Sequence, residues 1–114
     1  MVKSIIKEKS FEFAVKIVKL YKELNNEKEF IISKQLLRSG TSIGANIKEA
    51  LQGQSKADFI SKLSISLKEA VETEYWLELL IATKLTKIEL KEYLKNIQEL
   101  IKILTSIIKT SKNK

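Results

Sequence analysis

Not one proline interrupts this chain of 114 residues, and only three glycines do. Tight turns draw heavily on both types, so a fold built from many turns finds no punctuation here. Leu, Ile, Lys, Glu and Ala fill the sequence instead, and all but isoleucine rank among the strong helix formers. The chain is predicted to be all-α, and its length suits one domain over residues 1–114. Apolar types make up 44% and charged types 31%, which fits a buried core inside a polar surface.

Four amphipathic stretches are predicted, at about 10–24, 30–52, 56–84 and 87–109. The first carries Phe13, Ala14, Ile17, Val18, Tyr21 and Leu24 at spacings of three and four. Asn25, Asn26, Glu27 and Lys28 then break the pattern. The second carries Ile32, Leu36, Ile43, Ile47 and Ala50 along one stripe. After it, Gly53 suits a left-handed helix end, and Ser55 with Asp58 suits the start of the next helix. Thr86 with Glu89 has the spacing of a capping box for the fourth stretch. Residues 110–114 are polar and are expected to fray. Connections this short force neighbours antiparallel, so the expected architecture is an antiparallel up-down-up-down four-helix bundle.

Four helices of this kind carry more apolar surface than one bundle needs. On the fourth, Leu90, Leu94, Ile97, Ile101, Leu104 and Ile108 form a core seam, flanked by Tyr93, Leu100, Ile103 and Ile107. Together they span about 180° of the wheel, against the arc of little more than ~100° that burial against neighbours requires. On the third, Ile60, Leu63, Leu67, Val71, Leu77 and Ile81 share a face, while Ile65, Trp76, Leu79 and Leu80 lie elsewhere. Soluble monomers avoid large apolar patches, so self-association is expected. Its candidate surface is Ile65, Trp76, Leu80, Tyr93, Leu100, Ile103 and Ile107.

The second helix also carries a polar stripe: Gln35, Arg38, Ser42, Asn46 and Glu49 fall within about 80°. Ser39, Gly40, Gly44 and Ala45 lie between them and are small enough to admit a neighbouring helix. On the third helix Glu69, Glu72 and Trp76 share a face. Arg38 is the single arginine among 21 basic residues, and its planar fork suits a carboxylate as no lysine does. The expected arrangement is a polar network of Gln35, Arg38, Ser42, Asn46, Glu49, Glu69 and Glu72 that fixes register or subunit orientation. A small anion or metal site is the sharper alternative. Glu74 falls on the apolar face of the third helix, a position that suggests a wet or partner-facing segment.

The chain has neither His nor Cys. That removes thiol nucleophiles, imidazole acid–base relays and zinc fingers. A di-iron bundle also needs histidine, and no glycine-rich phosphate loop is present. An all-carboxylate Mg²⁺ site is the one catalytic option left. The expectation is a protein without enzymatic activity, cofactor or metal.

The net charge is +7, which favours polyanions such as RNA or DNA, though abundant lysine also serves solubility. Lys91, Lys95, Lys102 and Lys109 lie within about 40° of one another on the fourth helix, and Lys112 extends the positive end. This ridge is the candidate nucleic-acid contact. It lacks interleaved aromatics, so base stacking is not indicated. A solvated outer face is the competing reading. No apolar run nears the ~20 residues of a membrane span. Residues 1–7 lack the core of a signal peptide, so a cytoplasmic location is expected.

The stretch SKQLLRSGTSIGANIKEA at 33–50, with QSKADF at 54–59 and KEAVETEYWL at 68–77, resembles the four-helix bundle family of the 23S rRNA intervening-sequence protein. KSFEFA at 9–14 and IIKTSK at 107–112 extend the resemblance over nearly the whole chain. It implies a small bacterial protein that assembles into homopentamers and has no established enzymatic activity. A related branch, the accessory proteins of diversity-generating retroelements, is linked to binding nucleic acid and a reverse transcriptase. On that likeness the expected function is a homo-oligomeric bundle that binds structured RNA or other nucleic acid. The alternative is a structural adaptor for a protein partner.

Overall fold

A computed structural model describes residues 2–113. Four helices follow one another: α1 (Val2–Asn26), α2 (Ile32–Leu51), α3 (Lys56–Thr83) and α4 (Lys91–Lys112). α1 and α3 each pack against α2 and α4, with no close backbone approach across either diagonal. Side-chain pairings set the directions. Asn25 meets Ser33 and Ile17 meets Gly40, Ser66 meets Ile43 and Thr73 meets Ser39, and Lys9 and Lys16 meet Glu99 and Glu92. In each pair of helices one number rises as the other falls, so α1 is antiparallel to α2, α2 to α3 and α1 to α4. The result is an up-down-up-down bundle, 46 × 21 × 20 Å.

Local chemistry explains most helix ends. Ser55 sits in extended backbone and its hydroxyl accepts the Asp58 N–H at 3.0 Å, as expected of an N-cap. The α2 start is held by Glu29, whose carboxylate accepts the N–H groups of Ile31, Ile32 and Ser33. The Glu27 carboxylate accepts from the Thr86 hydroxyl and the Lys87 N–H, tying the α3–α4 connection to the end of α1.

Three of the expected boundaries move by three residues or more. α1 begins at Val2, eight residues before the expected start. Its buried stripe runs Ile6, Ser10, Phe13, Ile17, Leu20, Leu24, and Ser10 hides it from a hydropathy reading by interrupting the apolar series. α4 begins at Lys91 because Thr86 and Glu89 do not pair as a capping box. Thr86 accepts from the Ile88 N–H, and Glu89 accepts from the Lys91 N–H. α4 also continues through Lys112 instead of fraying from 110, while Lys114 lies outside the described residues. Gly53 does not take positive φ. A β-carbon there would come within 2.9 Å of the Ala50 carbonyl, so closeness requires the glycine.

The core is one cluster drawn from all four helices. On α3 the expected face is rotated. Val71 and Ile81 are exposed, whereas Leu63, Ser66, Ala70, Thr73, Leu77 and Leu80 point inward. Small hydroxyl residues on this seam let α2 come close. Ser66 donates to the Ile43 carbonyl and Thr73 donates to the Ser39 hydroxyl, so each buried polar atom is satisfied. Val18 of α1, expected inside, is exposed for the same kind of reason: the arc is centred one position away.

Candidate functional site

Antiparallel α2 and α3 bring Arg38 alongside Glu69 and Glu72. Its Nη1 donates to Glu69 Oε2 at 3.3 Å, its Nη2 donates to Glu72 Oε2, and the Gln35 side-chain oxygen Oε1 accepts from Nε and Nη2. The Trp76 indole N–H also donates to Glu72 Oε2, at 3.0 Å. Tyr75 meets Trp76 edge to face, with ring centroids 5.2 Å apart. The arginine side chain is 49% exposed, and the two glutamates are 20% and 35% exposed. The cluster therefore lies along the outer lip of the α2–α3 seam, with one face in water.

The rest of the polar stripe does other work. Ser42 donates to the Arg38 carbonyl and Asn46 donates to the Ser42 carbonyl, so both serve their own helix. Glu49 pairs with Lys62 at 3.0 Å, further along the seam. Arg38, Gln35, Glu69 and Glu72 thus form one group, and Glu49 belongs to a second. Both carboxylates of the first group are taken up by Arg38 and by Trp76. Among the described residues no three potential metal-ligating side chains converge.

On α4, Lys91, Lys95, Lys102, Lys109 and Lys112 are all exposed. None of these side chains has an ion-pair or hydrogen-bond partner among the described residues. The acids on the neighbouring strip are engaged elsewhere: Glu92 with Lys16 at 3.0 Å, Glu99 with Lys9 at 3.1 Å. Lys16 also donates to Asn96. α1 thus neutralises the acids of α4 and leaves the lysine ridge uncompensated. From Lys91 to Lys109 the ridge is about 27 Å long at 1.5 Å per residue.

The expected subunit surface needs correction. Leu80 and Leu100 are fully buried in the core and cannot meet a partner. Tyr93, Ile103, Ile107 and Trp76 are half-buried and pack against that core. The Tyr93 hydroxyl donates to the Lys16 carbonyl at 3.4 Å. Its burial, with Glu23 and Glu92 nearby, pushes the phenol pKa above its usual value. Of the expected set only Ile65 is exposed. The exposed apolar side chains lie chiefly elsewhere: Val2, Ile5, Phe11, Val15 and Val18 on α1, Val71, Tyr75 and Ile81 on α3, and Phe30, Ile31 and Leu85 in the connections. The i, i+4, i+7 spacing from Phe11 to Val18 is legible in the sequence, although hydropathy alone places Val18 in the core.

Fold and surface define a small four-helix bundle that presents a bare lysine ridge on its last helix. The family model for the 23S rRNA-intervening sequence protein matches residues 3–106. The chain belongs to that family. It is also similar to a crystal structure of a protein with unknown function from the S23 ribosomal protein family of Bacteroides thetaiotaomicron. The two are 60% identical with a TM-score of 0.91, covering 96% of this chain and 99% of that one. No curated protein matches. Neither description names an enzymatic activity. Among the described residues no helix is long and apolar enough to cross a membrane.

Proposed function

We propose that the protein is a non-enzymatic homo-oligomeric bundle, built from five copies, that binds structured RNA through the α4 ridge in the cytoplasm. One observation carries the reading: the ridge lysines stand outward without partners while Lys9 and Lys16 occupy the adjacent acids. Phosphates are the natural counterions for such a line, and repetition around an oligomer multiplies weak contacts. The family takes its name from 23S rRNA, and the similar crystal structure belongs to a ribosomal protein family, which supports RNA as the polyanion. The ridge carries no aromatic side chain, so binding would follow backbone geometry and not base identity.

Titration of labelled hairpin RNA across a salt series tests this. The expected result is affinity that falls steeply and linearly on log–log axes. Absence of binding at low salt, or indifference to salt, would refute it. The runner-up, a protein adaptor, is favoured by the exposed Phe11, and predicts a partner retained in pull-downs after nuclease treatment.

A further inference from the structure

At the end of the bundle where α1 and α3 begin and α2 and α4 finish, the helices leave a cavity of about 420 Å³. Small-molecule sites fall in this size range. Ala50 and Gly53 contribute little side chain to its lining, and Phe59 supplies an aromatic ring. The Lys3 ammonium lies over that ring, 4.9 Å from its centroid. α1 and α3 make no close backbone approach, so Lys3 reaches across the bundle diagonal to do this. The polar lining is Lys3, Ser55, Lys56 and Ser111. The Ser111 hydroxyl has no hydrogen-bond partner within the chain among the described residues.

Charge at this end is predominantly positive. Residues 2–9, 48–59 and 109–113, which form it, hold seven lysines against three acids, Glu8, Glu49 and Asp58. Lys62 holds Glu49, and Glu99 holds Lys9. Ser111 lies between Lys109 and Lys112 in sequence, so the α4 ridge runs up to the cavity.

From this we infer that the cavity takes one unpaired nucleotide of an RNA whose duplex lies along the α4 ridge, its base stacked on Phe59 and its phosphate paired with Lys3. The inference rests on the RNA reading above and names the class of RNA: a duplex that continues into single strand. Three features agree. The Phe59 ring already binds a cation through its π face, and a base uses the same face. Lys3 is exposed and has no carboxylate partner among the described residues. A base can therefore displace its ammonium, which then meets the phosphate of that nucleotide. The cavity also stands where the ridge stops, so a duplex held along α4 delivers its unpaired end there. Stacking tolerates every base, so the site selects unpaired nucleotides and not a sequence. An acidic peptide would pair with the lysines but leave the Phe59 face to Lys3.

The test compares a blunt hairpin RNA with the same hairpin carrying a single-stranded tail, a fluorescent purine analogue standing at the first unpaired position. The expected outcome is about tenfold tighter binding of the tailed hairpin, within the range of one stacked base, with quenching of the analogue. F59L keeps an apolar side chain against the core and removes the ring. It should bind the blunt hairpin as the wild type does, lose the gain from the tail and leave the analogue unquenched. Equal affinity of the wild type for both hairpins would overturn the inference while leaving ridge binding in place. So would a gain that survives in F59L. Binding of neither hairpin would remove the RNA reading itself, and the inference with it. Displacement of the tailed hairpin by polyglutamate with the analogue still unquenched would assign the end to an acidic peptide and overturn it too. K3E, a change at an exposed position, is the independent arm. It should lower the ratio of tailed to blunt affinity, and an unchanged ratio would contradict the role given to Lys3.

Discussion

A β-carbon placed on Gly40 of α2 would stand 2.9 Å from both γ-carbons of Ile17 on α1. Ile17 is fully buried and branched at the point of contact, so it has nowhere to move. Close packing of α1 and α2 depends on that missing methyl group.

Gly40→Ala should therefore destabilise the fold by about 1–3 kcal/mol, the usual cost of overpacking a core, despite a gain in helix propensity. Gly44→Ala is the contrast. Its β-carbon would lie 3.4 Å from the Ser10 carbonyl oxygen, an ordinary contact. There propensity should win, raising stability by up to ~1 kcal/mol. Urea unfolding of the two variants checks the pair. Equal effects of the same sign would show that the Ile17 contact does not govern.

For Arg38→Ala the expected loss is about 1–2 kcal/mol, because the clamp joins two carboxylates but lies half in water. A fully buried cluster would have cost more. Arg38→Lys should recover little, since one ammonium cannot span Gln35, Glu69 and Glu72 as the planar fork does. Trp76, the single tryptophan, shares Glu72 with Arg38. Its fluorescence should shift in R38A. An unmoved spectrum and an unmoved midpoint would show the cluster to be ornamental.

Charge reversal on the ridge separates long-range attraction from a defined contact. K95E/K102E should weaken RNA binding and reduce the slope of log affinity against log salt by about two, one unit per lost phosphate contact. Helix content should not change, because neither side chain has an ion-pair or hydrogen-bond partner among the described residues. An unaltered slope would place the RNA elsewhere.

Tyr93 gives an alkaline signature. Its folded pKa lies above the ordinary 10.0, first through burial and then through Glu23 and Glu92. The neutral phenol therefore contributes stability that is complete below pH 10.0 and is lost as pH rises through the folded value. Urea midpoints for wild type and Y93F should differ by a constant amount below that pH. Above it the wild type should fall faster. Parallel curves throughout would mean that Tyr93 ionises as it does in the unfolded chain.

Much of this arrangement could be read from the residues. The short breaks, expected at 25–29 and 53–55 and found at 27–31 and 52–55, and the Ser55 cap follow from local chemistry, and Arg38 with Glu69 and Glu72 follows from helical spacing across an antiparallel pair. What hydropathy missed was hydroxyl chemistry. Ser10 on α1 and Ser66 with Thr73 on α3 lie in buried stripes because a helix carbonyl or another hydroxyl satisfies them. Counting only apolar side chains therefore turned α3 by about one position. That turn moved Leu80 from the expected surface into the core and Val71 from the core to the outside. The neutralisation of Glu92 and Glu99 was also hidden, since it needs α1 beside α4 at a register that no local motif encodes.

The proposed function requires above all that the protein assemble and so cover the exposed apolar side chains of α1 and α3. Light scattering at micromolar concentration, in moderate salt, measures this directly. The account predicts a particle of about 65 kDa, five times the 13.1 kDa chain, which splits when Phe11 becomes aspartate. A 13.1 kDa particle for the unmodified protein, with Phe11 and Tyr75 left in water, would contradict it.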